Sequence, residues 1–186
     1  MVSDLIKKCR SYRRFDAKRP ITAEQLRKFV ESARYTPSGA NLQRLRFSLF
    51  SDKESCDKLF PLIKLAGYLK DWGGPTEDER PTAYVVISSR EELSTLLAID
   101  LGIVAEAIAL TAAESGVGAC MIRSFNAGKV AEIVDREGMI PHMVIALGYP
   151  TETVILEDSN DGNIKYYRDS EDRHIVPKLP LDELML

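Results

Sequence analysis

Between about Glu91 and Ser115 the chain carries a helical pattern that is apolar on nearly every side, with Leu101, Ile103, Val104, Ile108 and Leu110 spread around the axis. Such a helix belongs at the centre of a domain or in a subunit interface. A membrane span needs about 20 mainly apolar residues with few or no charges. Here the most apolar stretch, Leu96 to Ala113, is interrupted by Asp100 and Glu106, so burial in protein is expected. With 186 residues the chain is long enough for one domain, or one large domain with an appended arm.

The flanking segments supply what would surround that helix. A short helix is expected over Asp4–Arg10 with Ser3 as its cap. After the break at Pro20, Thr22-Ala23-Glu24-Gln25 has the spacing of a capping box. The helix it opens places Leu26, Phe29, Val30 and Ala33 on one face and should stop before Pro37. Strands are expected at Arg46–Phe50, Thr82–Ser88, Ala119–Ile122 and His142–Leu147. Further helices are expected at Lys53–Leu65, broken or kinked at Pro61, and at Ala127–Val134, and Gly67–Pro81 reads as a loop. Alternating helices and strands with long connections leave α/β and α+β both open. After Pro150 the chain turns polar and turn-rich, and it ends in a leucine- and proline-containing segment suited to docking.

Composition narrows the function classes. A formal net charge of -3 argues against general nucleic-acid binding. Cys9, Cys56 and Cys120 are odd in number and lack metal-ligand spacing, and His142 and His174 stand far apart, so neither disulfides nor a metal site is expected. The charged N-terminus has no long apolar core of the signal-peptide kind, and a cytoplasmic location is expected.

Three segments carry more polar chemistry than folding requires. Arg10-Ser11-Tyr12-Arg13-Arg14-Phe15 offers guanidinium forks and a hydroxyl suited to a phosphate ester, though alone it reads as a solvated basic turn. Pro37-Ser38-Gly39-Ala40-Asn41-Leu42-Gln43 is a turn whose glycine allows close backbone approach to a ligand, with a hydroxyl and two amides nearby; alone it is an ordinary loop. Lys165-Tyr166-Tyr167-Arg168 places two cations beside aromatics. Together they describe a site for one anionic, planar, polar-edged ligand. No helix-opening GxGxxG follows a strand, which leaves a Rossmann site unsupported; no Walker loop is present, and the absence of GxSxG argues against a serine hydrolase.

The pairing of RSYRRF (Arg10–Phe15) with PSGANLQ (Pro37–Gln43) resembles the nitroreductase family of flavoproteins. The resemblance continues through the apolar helix ending in Gly116-Val117-Gly118, a short strand, and Ala146-Leu147-Gly148-Tyr149-Pro150, covering about the first 150 residues. It implies an α+β fold with a central, mainly antiparallel sheet flanked by helices in an intertwined homodimer. Residues 1–150 would form the FMN-binding domain, and 151–186 an extension docking on the dimer and contributing basic residues. The implied activity is FMN-dependent reduction of nitroaromatics, quinones or similar small electron-poor acceptors by ping-pong kinetics, with NADH or NADPH as reductant. Arg10 and Ser11 would hold the phosphate and ribityl chain, and Arg13 would approach the pyrimidine edge. Pro37, Ser38, Gly39 and Asn41 would come from the partner subunit. Met121, Ile122, Arg123 and Ser124 would run along the isoalloxazine, and Lys165 and Arg168 would close the phosphate site. No side chain is nominated as catalytic acid or base, because the flavin carries the redox chemistry.

This sequence also departs from the family pattern. Cys9 stands where a basic residue is frequent, Arg44-Leu45 follows Gln43 where Pro-Trp is usual, and Arg123 or Ser124 replaces a glycine. The loop Gly67–Glu79 with Trp72 is either a cover over the site or a surface loop with one aromatic anchor. Alternatives to the leading reading are a family member that dehalogenates or modifies flavin, a non-catalytic flavin-binding protein, and a polyanion-binding basic N-terminus.

Overall fold

The computed structural model describes residues 1–159 and 162–186. Its core is a four-stranded antiparallel sheet, with β1 (Arg46–Phe50), β2 (Ala83–Ser89), β3 (Gly118–Ile122) and β4 (Ile140–Gly148) in the order β1-β2-β4-β3. β2 and β4 are the central strands, and every residue of β2 is buried. Alternate side chains of one strand pass to opposite faces, so both faces here are apolar. Val85, Ile87, Ile145 and Leu147 join one buried cluster, whereas Tyr84, Val86, Val144 and Ala146 join the other.

The first face is covered by α2 (Ala23–Ala33) and α4 (Thr95–Glu114). Thr22 and Gln25 form the expected capping box, with bonds of 3.1 and 3.0 Å in the two directions, and Leu26, Phe29 and Ala33 are buried. α4 is the long apolar helix, and by length and composition it could cross a membrane. Its inner side, from Leu97 through Val104 and Ile108 to Ala112, packs on the sheet, while Leu96 and Ile99 on the other side remain exposed. The second face is covered by α3 (Lys53–Leu59) and α5 (Ala127–Val134). Pro61 lies in a 3-10 turn over Phe60–Leu62 that ends the third helix. The fold is therefore α+β, with the central antiparallel sheet that the resemblance implies.

Two local expectations are corrected. α1 (Val2–Lys8) is capped at Met1, whose ammonium donates to Asp4, and not at Ser3. The polar tail also contains a second sheet: β5 (Val154–Asp158) runs parallel to β7 (His174–Lys178), which pairs antiparallel with β6 (Tyr167–Arg168). A short α6 (Leu181–Leu184) follows, with Leu181, Leu184, Met185 and Leu186 exposed.

The segment Ser11–Phe15 lies against the ends of β3 and β4. Ser11 bridges Ala119, and Phe15 bridges Pro150. This contact explains two glycines. A Cβ on Gly118 would lie 2.7 Å from atoms of Pro150 and Tyr12, and one on Gly148 would lie 2.8 Å from Phe15 Cβ. Phe15 is fully buried and has nowhere to retreat. Gly148→Ala is expected to cost about 1–3 kcal/mol through overpacking. Urea unfolding reads this directly, and an unchanged midpoint would contradict the packing argument.

Candidate functional site

The close approach of Ser11–Phe15 brings the N-terminal arginines beside the C-terminal sheet. Glu152, whose side chain is 1% exposed, is the centre of this junction. Its carboxylate accepts the backbone N–H of Arg13, the backbone N–H of Arg14 at 3.1 Å, and Arg168 Nη2 at 2.5 Å. Arg14 also pairs with Asp172, and Arg168 donates to the Asp172 carbonyl at 2.9 Å. The hydrogen bond from Arg14 holds the Asp172 carboxyl below its usual pKa. The Trp72 ring lies near both guanidinium groups, its centroid 5.8 Å from Arg14 and 5.5 Å from Arg168. Its loop is thus anchored on the arginine cluster.

Arg13 is buried in the same junction, but its side chain has no acidic partner within ion-pair distance among the described residues. Nη1 donates to the Ser11 carbonyl at 3.1 Å and lies 2.9 Å from His174 Nε2. Tyr166 packs on its guanidinium at 4.8 Å. Arg10 donates to the Ile6 carbonyl at 2.6 Å. The Nε atoms of Arg10, Arg13, Arg14 and Arg168 are buried without a hydrogen-bond partner among the described residues. Arg14 Nε still faces Glu79 Oε1 at 3.6 Å, and the other donors are costly unless an acceptor arrives.

The amide-rich turn stands elsewhere. Pro37 and Asn41 are exposed, and Ser38 and Gly39 are half-buried. Gly39 N–H donates to Asp100 Oδ1 at 2.9 Å, so the buried carboxylate of α4 carries this loop. Arg44 ties it down further, 3.2 Å from Glu91 and 3.7 Å from Asp100. That contact gives the unusual Arg44 a structural role. The left-handed conformations fall on Ala40, Asn41 and Gln43, with φ of 50°, 56° and 47°, and not on Gly39. Non-glycine residues hold such conformations at a cost, and these residues cluster at functional sites. No hydrogen bond or ion pair among the described residues joins this loop to the arginine junction.

Met121 and Ile122 end β3, which is an edge strand of the sheet. Arg123 and Ser124 follow in an exposed turn, where the Ser124 carbonyl accepts Lys64 N–H at 2.8 Å. A pocket of about 410 Å³ opens here between Lys64, Ser124, Phe125 and Asn126. Because Ser11 bridges Ala119 and Tyr12 N–H donates to the Ala119 carbonyl at 3.1 Å, β3 and the arginine segment form one unit. Arg168 joins that unit through Glu152. Lys165 is exposed, and its backbone N–H donates to Asn163 Oδ1 at 3.2 Å.

Burial pushes the thiols of Cys9, Cys56 and Cys120 up to about 11, 12 and 11, so they stay protonated near neutrality. Among the described residues, no group of three or more His, Cys, Asp or Glu side chains could hold a metal ion.

Residues 6–71 match the family model described as the nitroreductase family. A nitroreductase family protein from Streptococcus pneumoniae superposes with a TM-score of 0.72 at 19% identity, covering 100% of this chain and 99% of that one. The chain has the nitroreductase fold. An FMN-dependent nitroreductase from Clostridium difficile gives a TM-score of 0.64 at 24% identity, over 92% of this chain and 94% of that one. The FMN-dependent nitroreductase of Mycobacterium smegmatis, in complex with NADPH, gives 0.64 at 18% identity, over 81% and 87%. No curated protein sequence matches the chain. The resemblance carried by the arginine motif and the amide-rich turn is therefore borne out. The Streptococcus match covers the C-terminal extension as well.

Glu152 and His174 are the residues that sequence reasoning missed. Glu152 is one acidic residue in an acidic tail, and only its place two residues beyond Pro150 hints that it faces the Phe15 segment.

Proposed function

We propose that the chain is an FMN-dependent NAD(P)H oxidoreductase that acts on nitroaromatics, quinones or similar electron-poor small molecules. It works by ping-pong kinetics as a cytoplasmic homodimer. The observation that carries the proposal is the single unit formed by Arg10, Ser11, Arg13 and β3, with guanidinium donors buried and unanswered. The residues fit the cofactor, because a phosphate ester and a flavin carbonyl are the acceptors such donors lack.

FMN, when bound, supplies reversible two-electron chemistry. Arg10 and Ser11 hold the phosphate and ribityl chain, with Lys165 and Arg168 closing that end. Arg168 does so while paired to Glu152, so its charge is largely answered and Lys165 is the freer cation. Arg13 supplies fixed positive charge at the pyrimidine edge. Met121, Ile122, Arg123 and Ser124 line the ring. Pro37, Ser38, Gly39 and Asn41 serve the partner chain's site, consistent with a loop that bonds to α4 and not to its own arginine junction. The exposed Leu96 and Ile99 of α4 suit the apposition of two chains. Residues 1–150 contain the whole main sheet and form the flavin-binding body, while 151–186 form an extension that docks on the dimer.

The absorbance spectrum of the purified protein is the direct test. A colourless protein that takes up no added FMN would refute the proposal. Arg13→Ala is expected to weaken FMN binding tenfold or more, since a charged hydrogen bond contributes about 1.5–3 kcal/mol. Arg19→Ala, which removes a stacking contact with Tyr149, should change it little. Equal effects in a fluorescence titration would count against the assigned site. Anaerobic assays with different acceptors separate nitro and quinone reduction from dehalogenation or flavin modification.

A further inference from the structure

We infer that His174 is a positioning residue for Arg13, a neutral hydrogen-bond acceptor that fixes the guanidinium without cancelling its charge. The inference deepens the flavin reading above and rests on it. Arg13 is 8% exposed and His174 1% exposed, and Arg13 Nη1 lies 2.9 Å from His174 Nε2. A guanidinium only donates, so Nε2 must accept, and the ring must carry its proton on Nδ1, which is buried without a hydrogen-bond partner among the described residues. The histidine is itself held: its backbone N–H donates to the Thr153 carbonyl at 2.8 Å. Tyr166 packs on both members of the pair, 5.1 Å from the imidazole and 4.8 Å from the guanidinium. Tyr68 closes the stack from the loop side, 5.0 Å from Tyr166.

Comparison with the neighbouring arginines gives this arrangement its meaning. Arg14 and Arg168 are answered by Glu152 and Asp172, so their charge is largely spent within the protein. The Arg13 side chain meets a carbonyl, a neutral imidazole and an aromatic face. Burial, together with the charges of Arg13 and Arg168 and against that of Glu152, pushes the His174 pKa down to about 4. The ring therefore remains an acceptor across the physiological range. A fixed and uncancelled cation is what stabilises negative charge at the N1–C2=O edge of a reduced flavin. A carboxylate at this position would hold Arg13 equally well and neutralise it.

Three substitutions separate holding from charge. His174→Gln keeps a neutral acceptor, His174→Glu keeps an acceptor but adds negative charge, and His174→Phe fills space without accepting. FMN affinity and the midpoint potential of bound FMN are measured for each, with the thermal midpoint as a control for folding. Gln should stay close to wild type in both. Phe should weaken FMN binding about tenfold and lower the potential. Glu should lower the potential while largely keeping thermal stability. Unchanged potentials for Phe and Glu in a protein that binds FMN would overturn this inference alone, whereas failure of the wild type to bind FMN would overturn the proposed function as well. In the FMN-free protein, NMR of the imidazole should show the Nδ1–H tautomer with no titration near 6.5. An Nε2–H ring would overturn the inference whatever the flavin does.

Discussion

Glu152→Ala should lower the unfolding free energy by about 3–5 kcal/mol, because breaking a buried pair leaves an uncompensated charge. The carboxylate is 1% exposed, and the Arg168 side chain it faces is 12% exposed. Its removal also leaves the backbone N–H groups of Arg13 and Arg14 without their acceptor. Asp172 is already committed to Arg14 and Arg168. Glu152→Gln should lie between the two, keeping an oxygen for the N–H groups while losing the charge opposite Arg168. Urea unfolding at neutral pH, followed by circular dichroism, measures both. A loss below about 1 kcal/mol for the alanine variant would mean that the junction is not a load on the fold.

The second large effect is an acid-side loss of stability. His174 has its pKa lowered from 6.5 to about 4, chiefly by burial and then by Arg13. Below pH 6.5 the unfolded chain takes up a proton that the folded chain refuses, so stability falls with pH until the folded ring also protonates near 4. A shift of that size corresponds to about 3 kcal/mol across the window. His142, buried beside Ser89 and the Glu91 carbonyl, is shifted in the same direction and adds to the slope. Asp172, lowered by Arg14, loses its contribution only at still lower pH, below the ordinary carboxylate range. His174→Gln should remove most of the slope between pH 6.5 and 4. A variant with the wild-type slope would place the titrating group elsewhere.

What was legible in the sequence divides along the range of the interactions. The Thr22–Gln25 box is local, and it opens the helix where expected. The continuous apolar runs Ala83–Ile87 of β2 and Met143–Leu147 of β4 mark strands buried on both faces. The expected start of the long helix at Glu91 was too early. Ser89 Oγ takes Glu91 N–H at 3.1 Å and donates to its carbonyl at 2.7 Å, folding a turn that delays the helix until Ser94 caps it. The sheet in the tail was not foreseen, because the parallel pairing of Val154–Asp158 with His174–Lys178 leaves no short-range turn signal. The arginine motif and the amide-rich turn were visible as chemistry. Their supports, Glu152 and His174 for one and Asp100 for the other, are distant along the chain and appear only when it is folded.

The chain has one tryptophan, and the fold seats it against two guanidinium groups where three separate segments meet. Trp72 is in effect a fluorophore already installed at the seam. Its emission should register release of the C-terminal arm or entry of a flavin without any added label, and the same signal would follow both events in real time.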